Sequence, residues 1–156
     1  MHLKHALALA LALASPSVPT ASAAASGYAG LDLGSTRVDS PNYRGRGTGV
    51  FGGWIVNERV AVEAGWRRLA GDPRSSMTHA SALARADLGS NWSVYGRLGV
   101  AKVGGLLARG EEGGSARLLV GAGLHLGLTQ RVAMRVELQQ AGSGTRTLNA
   151  GVMVGF

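Results

Sequence analysis

Through most of this chain, apolar residues recur at every second position. At the C-terminal end, Leu148, Ala150, Val152, Val154 and Phe156 alternate with Thr147, Asn149, Gly151, Met153 and Gly155. A period of two places the first set on one face of a β-strand. The same rhythm predicts eight strands, over 28–34, 48–56, 59–69, 78–88, 92–103, 117–128, 131–140 and 146–156. In the third, Val60, Val62, Ala64 and Trp66 oppose Arg59, Ala61, Glu63, Gly65 and Arg67. In the seventh, Val132, Met134, Val136 and Leu138 oppose Ala133, Arg135, Glu137 and Gln139. The fourth is alanine-rich and competes with a helix on propensity. Its strict alternation up to Leu88 and the turn Gly89-Ser90-Asn91 decide for strand.

The connections alternate in length. Polar segments at 36–47, 70–77 and 104–114 are long, those at 57–58, 89–91 and 129–130 are short, and a small loop at 141–145 precedes the last strand. This is the rhythm of an antiparallel up-and-down meander. A strand of about ten residues is also what a tilted transmembrane strand needs. Alternation alone does not say whether the apolar face points into a soluble core or out into lipid. Three features choose lipid. The apolar faces are continuous in all eight strands, as a closed barrel in hydrocarbon requires. Trp54, Trp66, Trp92 and Phe156 lie near strand ends, as an interfacial girdle would. The polar faces carry mid-strand charges of both signs, Glu63, Arg85, Asp87, Arg97, Arg135 and Glu137. Inside a narrow barrel these must form ion pairs, because an unpaired buried charge is costly. The expected fold class is all-β, an eight-stranded antiparallel up-and-down transmembrane β-barrel.

Composition narrows the picture. The 156 residues suit one domain, and with no cysteine there is neither a disulfide framework nor a thiolate metal site. No apolar run reaches the roughly 18 residues of a membrane-spanning helix. The 25 glycines suit strands that need close approach. The net charge of +7 is spread singly along the chain without interleaved aromatics, which speaks against nucleic acid. His2, Lys4 and His5, then an Ala/Leu run over 6–14, then Ala21-Ser22-Ala23, have the order of a secretory signal. Residues 1–23 are expected to be cleaved, leaving 24–156 as the barrel domain; losing Lys4 lowers the charge from +7 to +6. Export without a spanning helix leaves the periplasm, the outer membrane or the medium, and the barrel reading selects the outer membrane of a Gram-negative bacterium.

Five short pieces carry a resemblance: 28–34 (YAGLDLG), 49–54 (GVFGGW), 62–66 (VEAGW), 94–99 (VYGRLG) and 132–137 (VAMRVE). In this order they resemble strands of the OmpA-like transmembrane barrel family, over nearly the whole predicted mature chain. The resemblance implies that Glu63 and Arg135 pair inside the barrel and that Arg97 is an interior arginine. Either Arg85 or Asp87 matches an interior lysine, and His125 sits where the family can carry an interior acid. It also implies that the closing strand, through Val152, Val154 and Phe156, is read by the outer-membrane assembly machinery. The family's periplasmic peptidoglycan-binding domain has no counterpart up to Phe156.

The functional expectation is a non-enzymatic, monomeric barrel contributing to envelope integrity or surface interaction, with no cofactor and no metal. Eight strands enclose a lumen just wide enough to be filled by side chains, too narrow for a general porin. Interior glycines (Gly30, Gly65, Gly99, Gly121, Gly123 and Gly151) leave room for water, so a narrow gated channel stays open as an alternative. A second alternative is a lipid-A-modifying enzyme. His79-Ala80-Ser81 has the H-x-S spacing of the outer-membrane lipid A deacylases, and Glu137 would orient the histidine. That resemblance is incomplete, because no asparagine follows Ser81. The outer connections contribute Arg37, Arg44, Arg46, Arg74, Lys102 and Arg109. These either dock lipopolysaccharide phosphates and other anionic surfaces or are solvated loop charges. The expected partners are outer-membrane lipids, lipopolysaccharide and the assembly machinery.

Overall fold

Strands that bury one edge and expose the other invite further pairing, and a sheet removes both edges only by closing on itself. A computed structural model describes residues 27–38, 43–69, 75–104 and 116–156, and in it the sheet closes. Eight strands run in chain order: β1 (Gly27–Val38), β2 (Tyr43–Asn57), β3 (Val60–Arg68), β4 (Ser76–Asp87), β5 (Trp92–Gly104), β6 (Ala116–Gly127), β7 (Val132–Ala141) and β8 (Thr145–Gly155). Each pairs antiparallel with its chain neighbours, and β8 returns to β1 through Tyr28↔Gly155 to Val38↔Thr145. The closed order places β3 opposite β7 and β1 opposite β5.

The alternation has the direction expected for lipid. Leu31 and Leu33 are each 66% exposed, and Val62, Leu98, Leu118, Leu138 and Leu148 also face outward. Asp32, Glu63, Arg97, Arg135 and Glu137 are buried inside. Trp54, Trp92 and Phe156 project outward toward the end that carries the short turns, and Trp66 toward the other end. This apolar belt with aromatic rims is a transmembrane surface.

Two of the short turns are fixed by their first side chain. Asn57 Oδ1 accepts hydrogen bonds from the Arg59 and Val60 amides, at 2.9 and 2.8 Å. Thr129 Oγ1 does the same for Arg131 and Val132, at 3.2 and 3.0 Å. These are the local side-chain turns that Asn and Thr favour. At the opposite end Gly142, with φ +62°, turns the chain from β7 toward β8.

Three expectations need correction. Arg37, Arg44, Arg46 and Lys102 were assigned to outer loops, but they are outward-facing strand residues. β1 and β2 continue to Val38 and back from Tyr43, and Thr36 and Arg37 pair with Gly45 and Arg44. Polar residues prolong the strands because their backbones remain paired there and their side chains need not meet lipid. Arg74 and Arg109 lie outside the described residues, as does the predicted signal. Second, the space beside the interior glycines is taken up by neighbouring strands. Side chains pack onto several of them: a Cβ on Gly30 would meet the Phe51 ring, on Gly123 the Tyr95 ring and on Gly99 the Ser81 side chain. Gly53, also inward, lies under the Tyr28 ring. Third, Arg85 and Asp87 are not part of the buried interior. They pair with each other at 2.9 Å with side chains 48% and 61% exposed, because they stand at the mouth beside the short turns.

Candidate functional site

The lumen is layered. In its middle, three acids (Asp32, Glu63, Glu137) meet three arginines (Arg67, Arg97, Arg135), all buried. Their strands are β1, β3, β5 and β7, so the contacts run across the barrel rather than between hydrogen-bonded neighbours. Glu63 is the hub. Its Oε1 lies 2.6 Å from Arg97 Nη2, and its Oε2 lies 2.7 Å from Arg135 Nη1. The Tyr28 hydroxyl donates to the same Oε2 at 3.0 Å. Arg97 also grips Glu137 through Nε and Nη2, and its Nη1 donates to Ser81 Oγ at 2.8 Å. Arg135 lies 3.5 Å from Asp32 Oδ2 through Nη2, and its guanidinium carbon sits 3.4 Å from the Phe51 ring centroid. Asp32 takes Arg67 at 2.5 Å, and Arg67 donates onward to Asn149.

The charges balance three to three, which is what a buried network needs if no member is to stay uncompensated. Its geometry ties opposite walls: Glu63 of β3 to Arg135 of β7, and Asp32 of β1 through Arg135 and Glu137 to Arg97 of β5. Toward the end opposite the short turns, Leu69, Met77, Ala101, Val103, Leu119 and Ala141 form a buried apolar cluster inside the barrel. Toward the short turns the lumen opens as a vestibule of about 720 Å³, reaching inward as far as Tyr28, Leu83 and Tyr95. His125 lines it and stacks on Tyr95 with ring centroids 4.5 Å apart.

The residues singled out from sequence therefore separate into groups. Glu63, Arg97, Arg135 and Glu137 come together; Arg85 and Asp87 do not join them. Asp32, Arg67, Tyr28 and Asn149 belong to the network although sequence reasoning did not include them. Their inward parity was the available signal. His79 and Ser81 both face the lumen and are buried. The carboxylate facing His79 is Glu63, at 3.7 Å, not Glu137, which Arg97 holds. The expected orienting role of Glu137 is thus corrected: β4 places His79 beside β3, and Glu137 lies across the lumen on β7. Val152, Val154 and Phe156 face outward. The Phe156 backbone pairs with Gly27 through both its amide, at 2.9 Å, and its carbonyl, at 3.1 Å. Among the described residues no group of three or more His, Asp or Glu is placed to hold a metal.

Among solved structures, the chain matches the N-terminal β-barrel domain of Pseudomonas aeruginosa OprF with a TM-score of 0.65 at 15% identity, covering 83% of this chain and 97% of that one. The chain folds as a closed eight-stranded transmembrane β-barrel, the fold of these small outer-membrane proteins. Neisserial surface protein A shares the barrel, at TM-score 0.59 and 17% identity, over 84% of this chain and 97% of that one. So does Ail, the attachment invasion locus protein of Yersinia pestis, solved in complex with the heparin analogue sucrose octasulfate. That likeness has a TM-score of 0.54 at 15% identity, over 83% of this chain and 97% of Ail. No protein-family model matches the chain, and no curated protein does. At such identities the likeness is one of barrel geometry.

Proposed function

We propose that the protein is a non-enzymatic, integral outer-membrane barrel with a sealed lumen, serving envelope integrity or surface interaction rather than solute passage. The observation that carries this reading is the luminal network, six buried charges bracing opposite walls beneath an apolar cluster. An ion crossing the lumen would have to part Arg97 and Arg135 from Glu63 and Glu137, leaving buried charges without partners. In this reading the short turns, the start of β1 and the end of β8 face the periplasm, and the monomer is the working unit.

The deacylase alternative finds little support. Ser81 Oγ is engaged by Arg97 and lies inside the lumen, whereas acyl chains would lie against the outer wall. A nucleophile must reach its substrate and its base together. Incubating the folded protein with lipopolysaccharide is expected to release no fatty acid; release that is lost in Ser81→Ala would restore the enzyme reading. The sealed lumen is tested in planar bilayers. The folded protein should give a flat current, while reproducible openings that vanish on heat denaturation would replace the sealed barrel with the gated channel.

A further inference from the structure

The outer wall carries a charge pattern that the luminal network does not explain. Arg44, Arg37 and Arg146 stand in one row across β2, β1 and β8, paired as Arg37↔Arg44 and Arg37↔Arg146. Arg46 lies one outward position below, opposite Ser35. All four are exposed on the outside of the barrel, at the end away from the short turns. Directly paired residues lie about 5 Å apart, so the row spans about 10 Å. Like charges placed directly opposite one another are destabilising. Among the described residues no acid faces outward at this end: Asp32, Glu63 and Glu137 are inside, and Glu58 and Asp87 stand by the short turns. The acids of 39–42, 70–74 and 105–115 lie outside the described residues.

Directly beneath the row the wall is indented. A groove of about 470 Å³ runs over Leu33, Gly34, Ser35, Gly47 and Leu148, with Arg46 on its border. It forms because the outward side chains of Ser35, Thr48 and Ala150 are short while Leu33, Val136 and Leu148 beside them project outward. An apolar furrow ending under four guanidinium groups matches a molecule with an acyl chain and more than one phosphate. Arginine is the side chain best shaped to hold a phosphate through two parallel hydrogen bonds. A lipid with one phosphodiester brings a single negative charge to four arginines. A bisphosphorylated, multiply acylated glycolipid brings enough to offset the row.

We propose that this face is a binding site for one lipid A molecule, with an acyl chain in the groove and both phosphates on Arg37, Arg44, Arg46 and Arg146. The site rests on the outer-membrane reading above, because lipid of this chemistry meets the wall only if the loop end lies in the outer leaflet. Binding would turn a self-repelling row into a neutralised one, and lipid A would hold the barrel as well as surround it.

The test is native mass spectrometry of the detergent-folded protein with purified lipid A, monophosphoryl lipid A or phosphatidylglycerol. Circular dichroism and heat-modifiable gel migration are recorded on the same samples. The expected result is one lipid A retained per barrel, with affinity falling about tenfold for each phosphate contact pair lost. Replacing all four arginines with glutamine should abolish retention without altering β-content, since all four are exposed. Ser35→Trp, which fills the groove, should weaken lipid A and leave inorganic phosphate unaffected. Equal retention by the four-glutamine variant, or equal retention of phosphatidylglycerol and lipid A, would overturn the site and leave the barrel standing. A protein that does not fold as a β-rich, heat-modifiable species would overturn the membrane reading, and the site with it.

Discussion

Glu63→Ala removes the hub of the luminal network and leaves the walls otherwise intact. The native carboxylate is fully buried and has Arg97 Nη2 at 2.6 Å, Arg135 Nη1 at 2.7 Å and the Tyr28 hydroxyl at 3.0 Å. Without it the six-charge set becomes two acids against three arginines. Arg97 keeps Glu137, while Arg135 is left with the longer contacts to Asp32, at 3.5 Å, and Glu137, at 3.9 Å. Breaking a buried pair by removing one partner costs about 3–5 kcal/mol, and the remaining contacts place this case near the lower figure. The measurement is urea unfolding of the barrel in short-chain lipid, followed by fluorescence of Trp54, Trp66 and Trp92. Arg135→Met in the Glu63→Ala background restores charge balance, so the double variant should be less destabilised than the two losses added together. The coupling should be about 1–3 kcal/mol. A Glu63→Ala loss below about 1 kcal/mol, or additivity within about 0.5 kcal/mol, would refute the claim that these groups act as one network.

Other expectations follow from the layers around it. Leu119→Ala opens a cavity in the apolar cluster and should cost about 2–5 kcal/mol in the same unfolding assay. Gly53→Ala forces a methyl group against the Tyr28 ring and should cost about 1–3 kcal/mol, with much less cost in a Tyr28→Ala background where the ring is gone. Removing Phe156 should reduce assembly into the membrane in cells more than it slows refolding in detergent; equal effects would reduce the residue to a packing role beside Gly27.

The faces of the strands were legible because alternation is written locally: Val136 and Leu138 go one way and Arg135 and Glu137 the other, whatever lies next to them. What lies opposite was not legible from alternation, and only the family resemblance implied the Glu63–Arg135 pair. Glu63 meets Arg97 from β5 and Arg135 from β7, neither hydrogen-bonded to β3, so these contacts depend on closure and strand tilt. Arg67 stands near the end of its strand, where an arginine ordinarily meets water, and only Asp32 and Asn149 reaching across make it interior. Depth along the lumen was equally hidden. Arg85 and Arg97 share an inward parity, yet one lies at the mouth and the other in the buried layer. The polar stretch through Arg37, Arg44 and Arg46 read as loop because polarity does not distinguish a loop from a strand that has risen above lipid. The interior glycines were visible, but the rings and side chains that occupy the space above them come from neighbouring strands.

The central claim is that the apolar face of every strand meets lipid and the polar face meets the lumen. With no native cysteine, single cysteines along β8 test it directly. Spin labels at Leu148, Ala150, Val152 and Val154 are read against labels at Thr147 and Gly151, by collision with oxygen and with a water-soluble nickel complex in bilayers. A period of two is expected, with the even positions rich in oxygen and shielded from nickel and the odd positions poor in oxygen. The opposite phase, or equal accessibility to nickel on both faces, would contradict it.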